Sequence, residues 1–317
     1  MILDTDQKNE EWVDATRLFG RVLIELAKIN ENVVFVGADA CKIADNFKEL
    51  FPDRFYEVGI AEQNACGFCA GLAFTGKIPF FTAISNFSTF RCYEQIRNDI
   101  ARTGLNVIII GRGAGLSYST GGPTHNTIDE IGALRVMPGL TIVDPADESD
   151  FKNAMINSTK LGGPIYLRVH KQIIKKVNPD GYRFEFGKGV IIKEGKDLYF
   201  ISSGTMVYQS LLAIEILKEH GIDAGLINMH TIKPIDKDLI NSVSDKTETL
   251  VTVEEHSIIN GLGSAVSEVV SETKKVRQLR IGFNDIFSDH GPYMELMEYH
   301  GFTGNKIAEK VKLFFEG

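Results

Sequence analysis

Runs of β-branched and other apolar residues alternate along the chain with stretches whose apolar positions repeat every three or four residues. In the first half the apolar runs predict strands over residues 32–38, 77–84, 106–111, 140–144 and 164–169. The stretches between them predict helices over residues 11–29, 62–75, 87–102 and 147–160. One face of the first helix carries Val22, Leu23, Leu26 and Ala27. This alternation is typical of βαβ units that build a parallel sheet.

The alternation stops over residues 171–189, which are polar, then basic, then aromatic, and include the turn-forming sequence Asn-Pro-Asp-Gly at 178–181. A second series follows, with predicted strands over residues 198–204, 224–229, 249–255 and 276–282 and helices over 206–219, 263–272 and 305–315. We therefore predict an α/β protein of two successive doubly wound domains, the first with a mostly parallel sheet and the second smaller. The predicted bounds are residues 1–175 for the first domain, 176–190 for a linker and 191–317 for the second domain.

The composition excludes several classes of protein. With 317 residues, of which 44% are hydrophobic and 24% charged, the chain can bury two cores and is not a disordered polymer. The formal net charge of −8 opposes general binding to nucleic acid, because the average surface would repel phosphates. The chain has no apolar run of about 18 residues and no charged-then-apolar leader, so we expect neither a membrane span nor secretion, and a cytoplasmic location.

The most informative segment is the sequence VGIAEQNA at residues 58–65, in which Glu62 opens a predicted helix. Any helix gains about 0.3–1 kcal/mol from an acidic residue in its first turn, so Glu62 alone has an ordinary explanation. The residues behind it, CGFCAGLA at 66–73, are unusually small and apolar. They indicate a helix that can be buried, which would present Glu62 at the end of a buried element.

Three segments of the first half together resemble one enzyme family. They are GIAEQNACGFCAGLA from residue 59, NFSTFRCYEQIRND from residue 86 and GGPTHNTIDEIGALRVMPGLTIVDPAD from residue 121. These segments resemble the pyrimidine-binding domain of transketolases and of 1-deoxyxylulose-5-phosphate synthase, which are thiamine-diphosphate enzymes. VTVEEHSIINGLGSAVSEVV from residue 251 resembles their C-terminal domain, so the resemblance covers essentially the whole chain.

The resemblance implies that Glu62 is catalytic and binds N1′ of the aminopyrimidine of thiamine diphosphate. A carboxyl group there stabilises the imino tautomer, whose 4′ nitrogen removes the proton from C2 of the thiazolium ring. The resemblance also places Ile84, Phe87 and Phe90 on the pyrimidine, with Phe87 as the stacking partner. By itself this spacing is equally typical of a buried helix face.

The resemblance further implies a set of substrate contacts. His125, which follows a glycine-rich loop, is placed at the substrate carbonyl or hydroxyl, where an imidazole can donate to an oxyanion or relay a proton. Arg17 and Arg168 match positions that bind the substrate phosphate, a role that suits the planar guanidinium group.

Three positions depart from the family pattern. Gly121 stands where the family has an aspartate, Ile43 where it has a phosphate-binding serine, and Gly113 where it has a second histidine. We therefore expect the donor and acceptor to differ from the standard sugar phosphates, and we assign Arg112 to substrate binding as a replacement for one lost contact.

Full-length transketolases hold Mg²⁺ and the diphosphate in a further N-terminal domain, through a GDG motif and a distant Asn. This chain has no GDG sequence, so we predict no metal ligands in it. The implied protein is the C-terminal subunit of a split transketolase, which moves a two-carbon ketol unit from a ketose or ketose phosphate to an aldehyde. A separate N-terminal subunit would bind Mg²⁺, and paired pyrimidine domains predict an α₂β₂ heterotetramer. The second domain is expected to build the dimer rather than the active site.

Two alternatives remain open. One is an enzyme with another reaction, either a pyruvate-decarboxylating synthase or a β subunit of the E1 component of a 2-oxoacid dehydrogenase, although His125 in GGPTH favours the transketolase reaction. The other is a non-catalytic partner protein that has kept the fold.

Overall fold

A computed structural model of the chain describes residues 12–40, 44–174, 176–273 and 276–316. The helices and strands of the first half are β1 (Trp12–Asp14), α1 (Ala15–Ile29), β2 (Val33–Gly37), α2 (Asp45–Leu50), β3 (Phe55–Glu57), α3 (Glu62–Phe74), β4 (Ile78–Ile84), α4 (Ser85–Thr89), α5 (Tyr93–Gln95), β5 (Ile108–Arg112), α6 (Glu130–Arg135), β6 (Thr141–Val143), α7 (Glu148–Leu161), β7 (Ile165–Val169) and β8 (Gln172–Ile174). Those of the second half are β9 (Val190–Lys193), β10 (Leu198–Ser202), α8 (Met206–Glu219), β11 (Ala224–Asn228), β12 (Thr231–Lys233), α9 (Lys237–Ser244), β13 (Thr249–Ser257), α10 (Leu262–Thr273), β14 (Arg277–Phe283), α11 (Tyr293–His300) and α12 (Gly304–Glu316). Within these described ranges, no helix is both long enough and apolar enough to cross a bilayer.

The first domain is built on a seven-stranded sheet in the order β12-β6-β7-β5-β4-β2-β3, in which every neighbouring pair except β12 and β6 is parallel. Successive residues of a strand point to opposite faces of the sheet. Ile108 and Ile110 therefore pack in a core with α1 and α7, whereas Val107 and Ile109 pack in a second core with α3 and α6. Helices on both faces confirm the predicted doubly wound architecture.

The second domain has a five-stranded sheet in the order β14-β13-β10-β11-β9, and only β9 runs antiparallel to its neighbour. Leu198 and Phe200 of β10 pack in a core with α8 and α12, and Tyr199 and Ile201 pack in a core with α9 and α10. This domain is therefore also doubly wound, as predicted.

One strand crosses between the domains. β12 lies in the second half of the chain but pairs antiparallel with β6, so that Thr231 lies opposite Val143 in the first sheet. Beside this pair, the backbone N–H of Asp144 donates to the carbonyl of His230 at 2.8 Å. The pattern of apolar residues predicts no strand here, because the segment is short and a proline, Pro234, follows it. The division at residues 176–190 stays a prediction, and the second half supplies a strand to the first sheet.

The helix predicted over residues 11–29 begins later, at Ala15. Asp14 caps it, because its side chain accepts the backbone N–H groups of Thr16 at 2.8 Å and Arg17 at 3.1 Å. The residues just before the helix form β1, which pairs with β8. The face predicted to be apolar is buried, as shown by Val22, Leu23, Leu26 and Ala27.

The prediction of one continuous helix over residues 87–102 is wrong. α4 ends at Thr89, a 3₁₀ turn covers Phe90–Cys92, α5 follows, and a π-helical turn covers Ile96–Ala101. The Thr89 hydroxyl donates to the carbonyl of Ser85 at 2.7 Å, and local side-chain bonds of this kind compete with regular helix. Interrupted helices are frequent at functional sites.

We expect a pH-dependent loss of stability from His230, which lies at the junction between the domains. Burial lowers the pKa of His230 from 6.5 to about 3, and its ring stacks on Phe184 with centroids 4.4 Å apart. Because the unfolded chain binds this proton more readily, stability is lost as the pH falls below 6.5. Between pH 7 and pH 5, we expect this residue to reduce the free energy of unfolding by about 2 kcal/mol.

The measurement is the thermal-unfolding midpoint of wild type and His230→Gln at both pH values. The wild type should lose more stability on acidification than the variant. Equal losses in the two proteins would contradict the assignment.

Candidate active site

Glu62 is the first residue of α3, and only 5% of its surface is exposed. The preceding Ala61 gives no side-chain cap, so the glutamate meets the positive end of the helix dipole without competition from a capping group. α3 is buried along one face only. That face comprises Ala65, Cys66, Cys69 and Ala70, whereas the opposite face exposes Gln63, Asn64, Gly67 and Gly71.

Arg91 connects Glu62 to Phe87. Its Nη1 donates to Oε1 of Glu62 at 3.0 Å. The guanidinium carbon lies 3.6 Å from the centroid of the Phe87 ring, which is a close cation–π contact. The guanidinium of Arg91 therefore hydrogen-bonds to the buried carboxylate of Glu62 and packs on the face of the Phe87 ring.

A cavity of about 280 Å³ opens beside this pair. Its first-domain lining includes Phe87, Phe90 and Arg91 from the broken helix, and Thr124 and Asn126 from the loop of His125. The structure therefore brings Phe87 and Phe90 together in one cavity, and their predicted packing on the pyrimidine stays a prediction.

Ile84 does not line this cavity. It is half-buried at the end of β4, where it pairs with Arg112 of β5. Its predicted contact with the pyrimidine stays a prediction.

The second domain also reaches this cavity, through Phe287 and Ser288. The segment that carries Phe287 and Ser288 is held by the first domain. Nδ2 of the buried Asn126 donates to Oγ of Ser288 at 3.1 Å and to the carbonyl of Asp289 at 3.3 Å. The expectation that the second domain builds the dimer rather than the active site stays a prediction, and Phe287 and Ser288 place part of that domain at the candidate cavity.

His125 lies between two aromatic rings. Its centroid is 5.5 Å from that of Phe87, in an edge-to-face arrangement, and 5.7 Å from that of Tyr118. Nδ1 shares a hydrogen bond with Oγ1 of Thr124 at 2.9 Å. Among the described residues none hydrogen-bonds to Nε2, so this nitrogen is the one that can meet a substrate oxygen.

The family departures have a structural basis at two positions. A Cβ atom on Gly121 would lie 3.2 Å from Cβ of His125, so a side chain there would crowd the histidine. A Cβ atom on Gly113 would lie 2.1 Å from Cε2 of Tyr118. The Tyr118 ring thus fills the space where the family has a second histidine. Ile43 lies outside the described residues.

Arg112 lines a second, smaller cavity of about 40 Å³ together with Tyr118 and Lys171. Nε of Arg112 donates to Oγ1 of Thr82 at 3.1 Å, and Nζ of Lys171 lies 4.3 Å from the centroid of the Tyr118 ring. Burial lowers the pKa of Arg112, and burial together with the charge of Arg112 lowers the pKa of Lys171. An anion bound between these two cations would stabilise the charged form of both.

The structure does not bring Arg17 or Arg168 to either cavity. The Arg17 side chain is 86% exposed and forms an ion pair with Asp14 at 3.7 Å, so its substrate role stays a prediction. Arg168 is fully buried, and its Nε donates to Oε1 of Glu130 at 2.5 Å. Its Nη2 donates to the carbonyl of Glu255 at 2.9 Å. This burial contradicts the predicted phosphate contact of Arg168, because its donors already bind groups of the protein.

The charges around Arg168 are mutually compensated. Burial acts to lower the pKa of Arg168, but the carboxylates of Glu130 and Asp144 outweigh it and raise that pKa above its ordinary value. Burial likewise acts to raise the pKa of Asp144, but Arg168 and His170 hold it below its usual range. Arg168 also joins the two domains, because its Nη2 donates to the carbonyl of Glu255, which belongs to β13 of the second domain.

Sequence reasoning overlooked several residues that the structure places at the cavities, among them Arg91, Tyr118, Lys171 and Phe287. A signal existed for two of them. Arg91 follows Phe87 by four residues, which is the spacing of neighbours on a helix. Lys171 lies two residues after the end of the predicted strand at 164–169, and ligands bind at the carboxyl ends of parallel strands.

Two family models match the chain. The model of the transketolase pyrimidine binding domain matches residues 12–176, and the model of the transketolase C-terminal domain matches residues 187–307. The chain belongs to the transketolase family. Thiamine diphosphate is the cofactor of this family. The residues around Glu62 and Phe87 can therefore be compared with its aminopyrimidine end.

Relatives of the same length include subunits of divided transketolases. A protein of Methanocaldococcus jannaschii, provisionally named a transketolase C-terminal section, is 41% identical and aligns with 92% of this chain and 93% of its own. A 6-deoxy-6-sulfo-D-fructose transketolase subunit of Clostridium sp. is 33% identical over 94% of this chain and 93% of its own. A solved structure titled "Split gene transketolase, inactive beta4 tetramer" superposes with a TM-score of 0.87 at 36% identity, covering 93% of this chain and 96% of that one.

The residues fit one end of thiamine diphosphate. A buried carboxylate beside an aromatic face suits an aminopyrimidine, which is planar and carries nitrogen atoms in its ring plane. The described residues contain no group of three His, Cys, Asp or Glu side chains that could hold a metal ion. These residues of the chain therefore fit the pyrimidine end of the cofactor.

Proposed function

We propose that the protein is the C-terminal subunit of a two-component, thiamine-diphosphate-dependent transketolase. The assembled enzyme moves a two-carbon ketol unit from a ketose to an aldehyde acceptor, and it is active only with a partner N-terminal subunit. The observation that carries the proposal is the buried carboxylate of Glu62 beside the face of Phe87, joined by one planar cation. A cytoplasmic location stays part of the proposal.

Glu62 and Phe87 hold the aminopyrimidine. Glu62 binds N1′ and keeps a proton at that atom, and Phe87 supplies the face on which the ring stacks. When bound, thiamine diphosphate supplies the thiazolium carbon that attacks the ketose carbonyl. Phe90 forms a further apolar wall of the same cavity.

His125, Tyr118 and the two cations form a path for the substrate. His125 lies next to Phe87 and can donate to the oxygen on which charge develops. Tyr118 lies beyond it, and Arg112 with Lys171 lies at the far end. We therefore assign the anionic end of the sugar to Arg112 and Lys171. The proposal covers a sulfonate or a phosphate, because the names of two relatives specify a sulfonated sugar in one case and a sugar phosphate in the other.

The partner subunit supplies Mg²⁺ and the diphosphate contacts. The chain has no GDG sequence, the motif that holds Mg²⁺ and the diphosphate in full-length transketolases, and this supports the assignment. The relatives named as a section or subunit of a transketolase support it. We propose an α₂β₂ heterotetramer as the active assembly.

The test is a calorimetric titration of thiamine diphosphate with Mg²⁺ into this chain alone, and then into the chain co-purified with a candidate N-terminal subunit. We expect weak or undetectable binding to the chain alone and stoichiometric binding to the complex. The complex should cleave a ketose and not decarboxylate a 2-oxoacid. A complex that forms but binds no cofactor would identify a non-catalytic partner protein and overturn the proposal.

His125→Ala should lower kcat/KM of the complex by about 10²-fold, because it removes one positioned donor. Cofactor affinity should stay within about twofold, since Glu62 and Phe87 remain. The measurement is steady-state ketose cleavage alongside the cofactor titration. An unchanged kcat/KM would exclude His125 from the chemistry.

A further inference from the structure

The contacts of Arg91 are the same two contacts that the proposed function assigns to the aminopyrimidine. The guanidinium donates an N–H to Glu62 at 3.0 Å and stacks 3.6 Å from the centroid of the Phe87 ring. The Glu62 side chain is 6% exposed and the Arg91 side chain 47% exposed. Arg91 lines the cavity and Glu62 does not, so the arginine separates the carboxylate from the cavity.

A guanidinium group and an aminopyrimidine are chemically alike in the features that matter here. Both are planar and delocalised, both present nitrogen atoms in the plane, and both stack on aromatic faces. Two planar groups cannot occupy the same face of one ring at stacking distance. Arg91 in its present position and a bound pyrimidine therefore exclude each other.

We propose that Arg91 is a placeholder for the aminopyrimidine. In the chain without cofactor it covers Glu62 and Phe87, and it swings out when the cofactor enters. This inference rests on the proposed function, because it assumes that the pyrimidine binds at Glu62.

The cavity also holds a second carboxylate. Asp129 lines the same cavity, and burial together with the charge of Glu130 raises its pKa. A cation brought near Asp129 would favour its charged form. Asp129 is therefore the group to which we assign the displaced Arg91, whose side chain is 47% exposed.

The placeholder makes a quantitative prediction for cofactor binding. The cofactor must displace a half-exposed ion pair and a cation–π contact, each of which is weak. Removing both contacts with Arg91→Ala should tighten the dissociation constant of thiamine diphosphate about three- to tenfold and raise its association rate. If Arg91 only stabilised the site, Arg91→Ala would instead raise the dissociation constant of thiamine diphosphate, because Glu62 and Phe87 would be held less firmly.

The experiment uses the complex with its N-terminal subunit, stripped of cofactor. Thiamine diphosphate with excess Mg²⁺ is titrated by calorimetry, and the association rate is followed by stopped flow, for the wild type, Arg91→Ala and Arg91→Lys. The lysine variant keeps the charge but not the planar stack, so it should lie between the other two. It also covers the case in which the alanine variant fails to fold.

Arg97→Ala is the matched control. Arg97 is exposed in the π-helical turn Ile96–Ala101, just after α5, and its side chain bonds locally, through Nη1 to Oδ1 of Asn98 at 3.1 Å. This variant should bind the cofactor within about twofold of the wild type.

The outcomes separate this inference from the function on which it rests. If the wild-type complex binds the cofactor and the Arg91 variants bind it equally or more weakly, the placeholder is wrong and the proposed function stands. If the wild-type complex binds no thiamine diphosphate, both fall.

Discussion

Replacing Glu62 with alanine is expected to lower the turnover of the assembled complex by about 10²- to 10⁴-fold, the range for a positioned acid–base group. Glu62 is the buried carboxylate that meets the pyrimidine in the proposed site, and its one direct partner among the described side chains is Arg91. Water cannot replace it well, because only 5% of the residue is exposed. The measurement is the rate of ketose cleavage by the complex.

Two controls make this result specific. Glu62→Gln keeps the size of the side chain and a hydrogen-bonding group but removes the acid, so it should lose nearly as much activity as the alanine variant. The exposed neighbour Gln63→Ala should retain wild-type turnover. Near-normal rates in the Glu62 variants would refute the assignment of the pyrimidine site.

Arg168→Met is expected to reduce the free energy of unfolding by about 3–5 kcal/mol, because it removes one partner of a buried ion pair. The change would leave the carboxylates of Glu130 and Asp144 buried without their cation. It would also remove the hydrogen bond from Arg168 to the carbonyl of Glu255 in the second domain. The measurement is the thermal-unfolding midpoint of the isolated chain.

Arg17→Met is the comparison for this variant. The Arg17 side chain is 86% exposed, so its replacement should change stability by no more than about 0.5 kcal/mol. The original expectation for Arg168 makes a different prediction, in which the variant stays stable and the KM for an anionic ketose rises. That result would restore its role as a phosphate ligand.

The fold could be predicted from the sequence because the signals are local. Strands such as β2 and β5 are continuous apolar runs, and helices such as α1 repeat apolar residues with the helical period. β12 could not be predicted this way, because its three residues are strand only through their pairing with β6. The break after α4 was missed for a different reason. The Thr89 hydroxyl bond is local, but the pattern of apolar positions does not show whether a hydroxyl donates to the backbone.

A motif predicts Glu62, Phe87 and His125 as site residues, and the structure brings them together around Arg91 and the Phe87 ring, while their roles stay predictions. The site was not predictable where contacts depend on distant parts of the chain. Arg168 has an ordinary surface-residue sequence context, yet Glu130 and Glu255 surround it in the structure. Phe287 reaches the cavity from the second domain, and no periodicity in the sequence connects it to Phe87.

β12, the strand that the second half of the chain contributes to the first sheet, limits where this protein can be truncated or fused. A truncation or a fusion joint placed in the segment before β9 separates β6 from β12 and leaves the edge of the first sheet open to other chains. The two family domains are thus not interchangeable modules. Chimeras between relatives should carry both halves from the same parent.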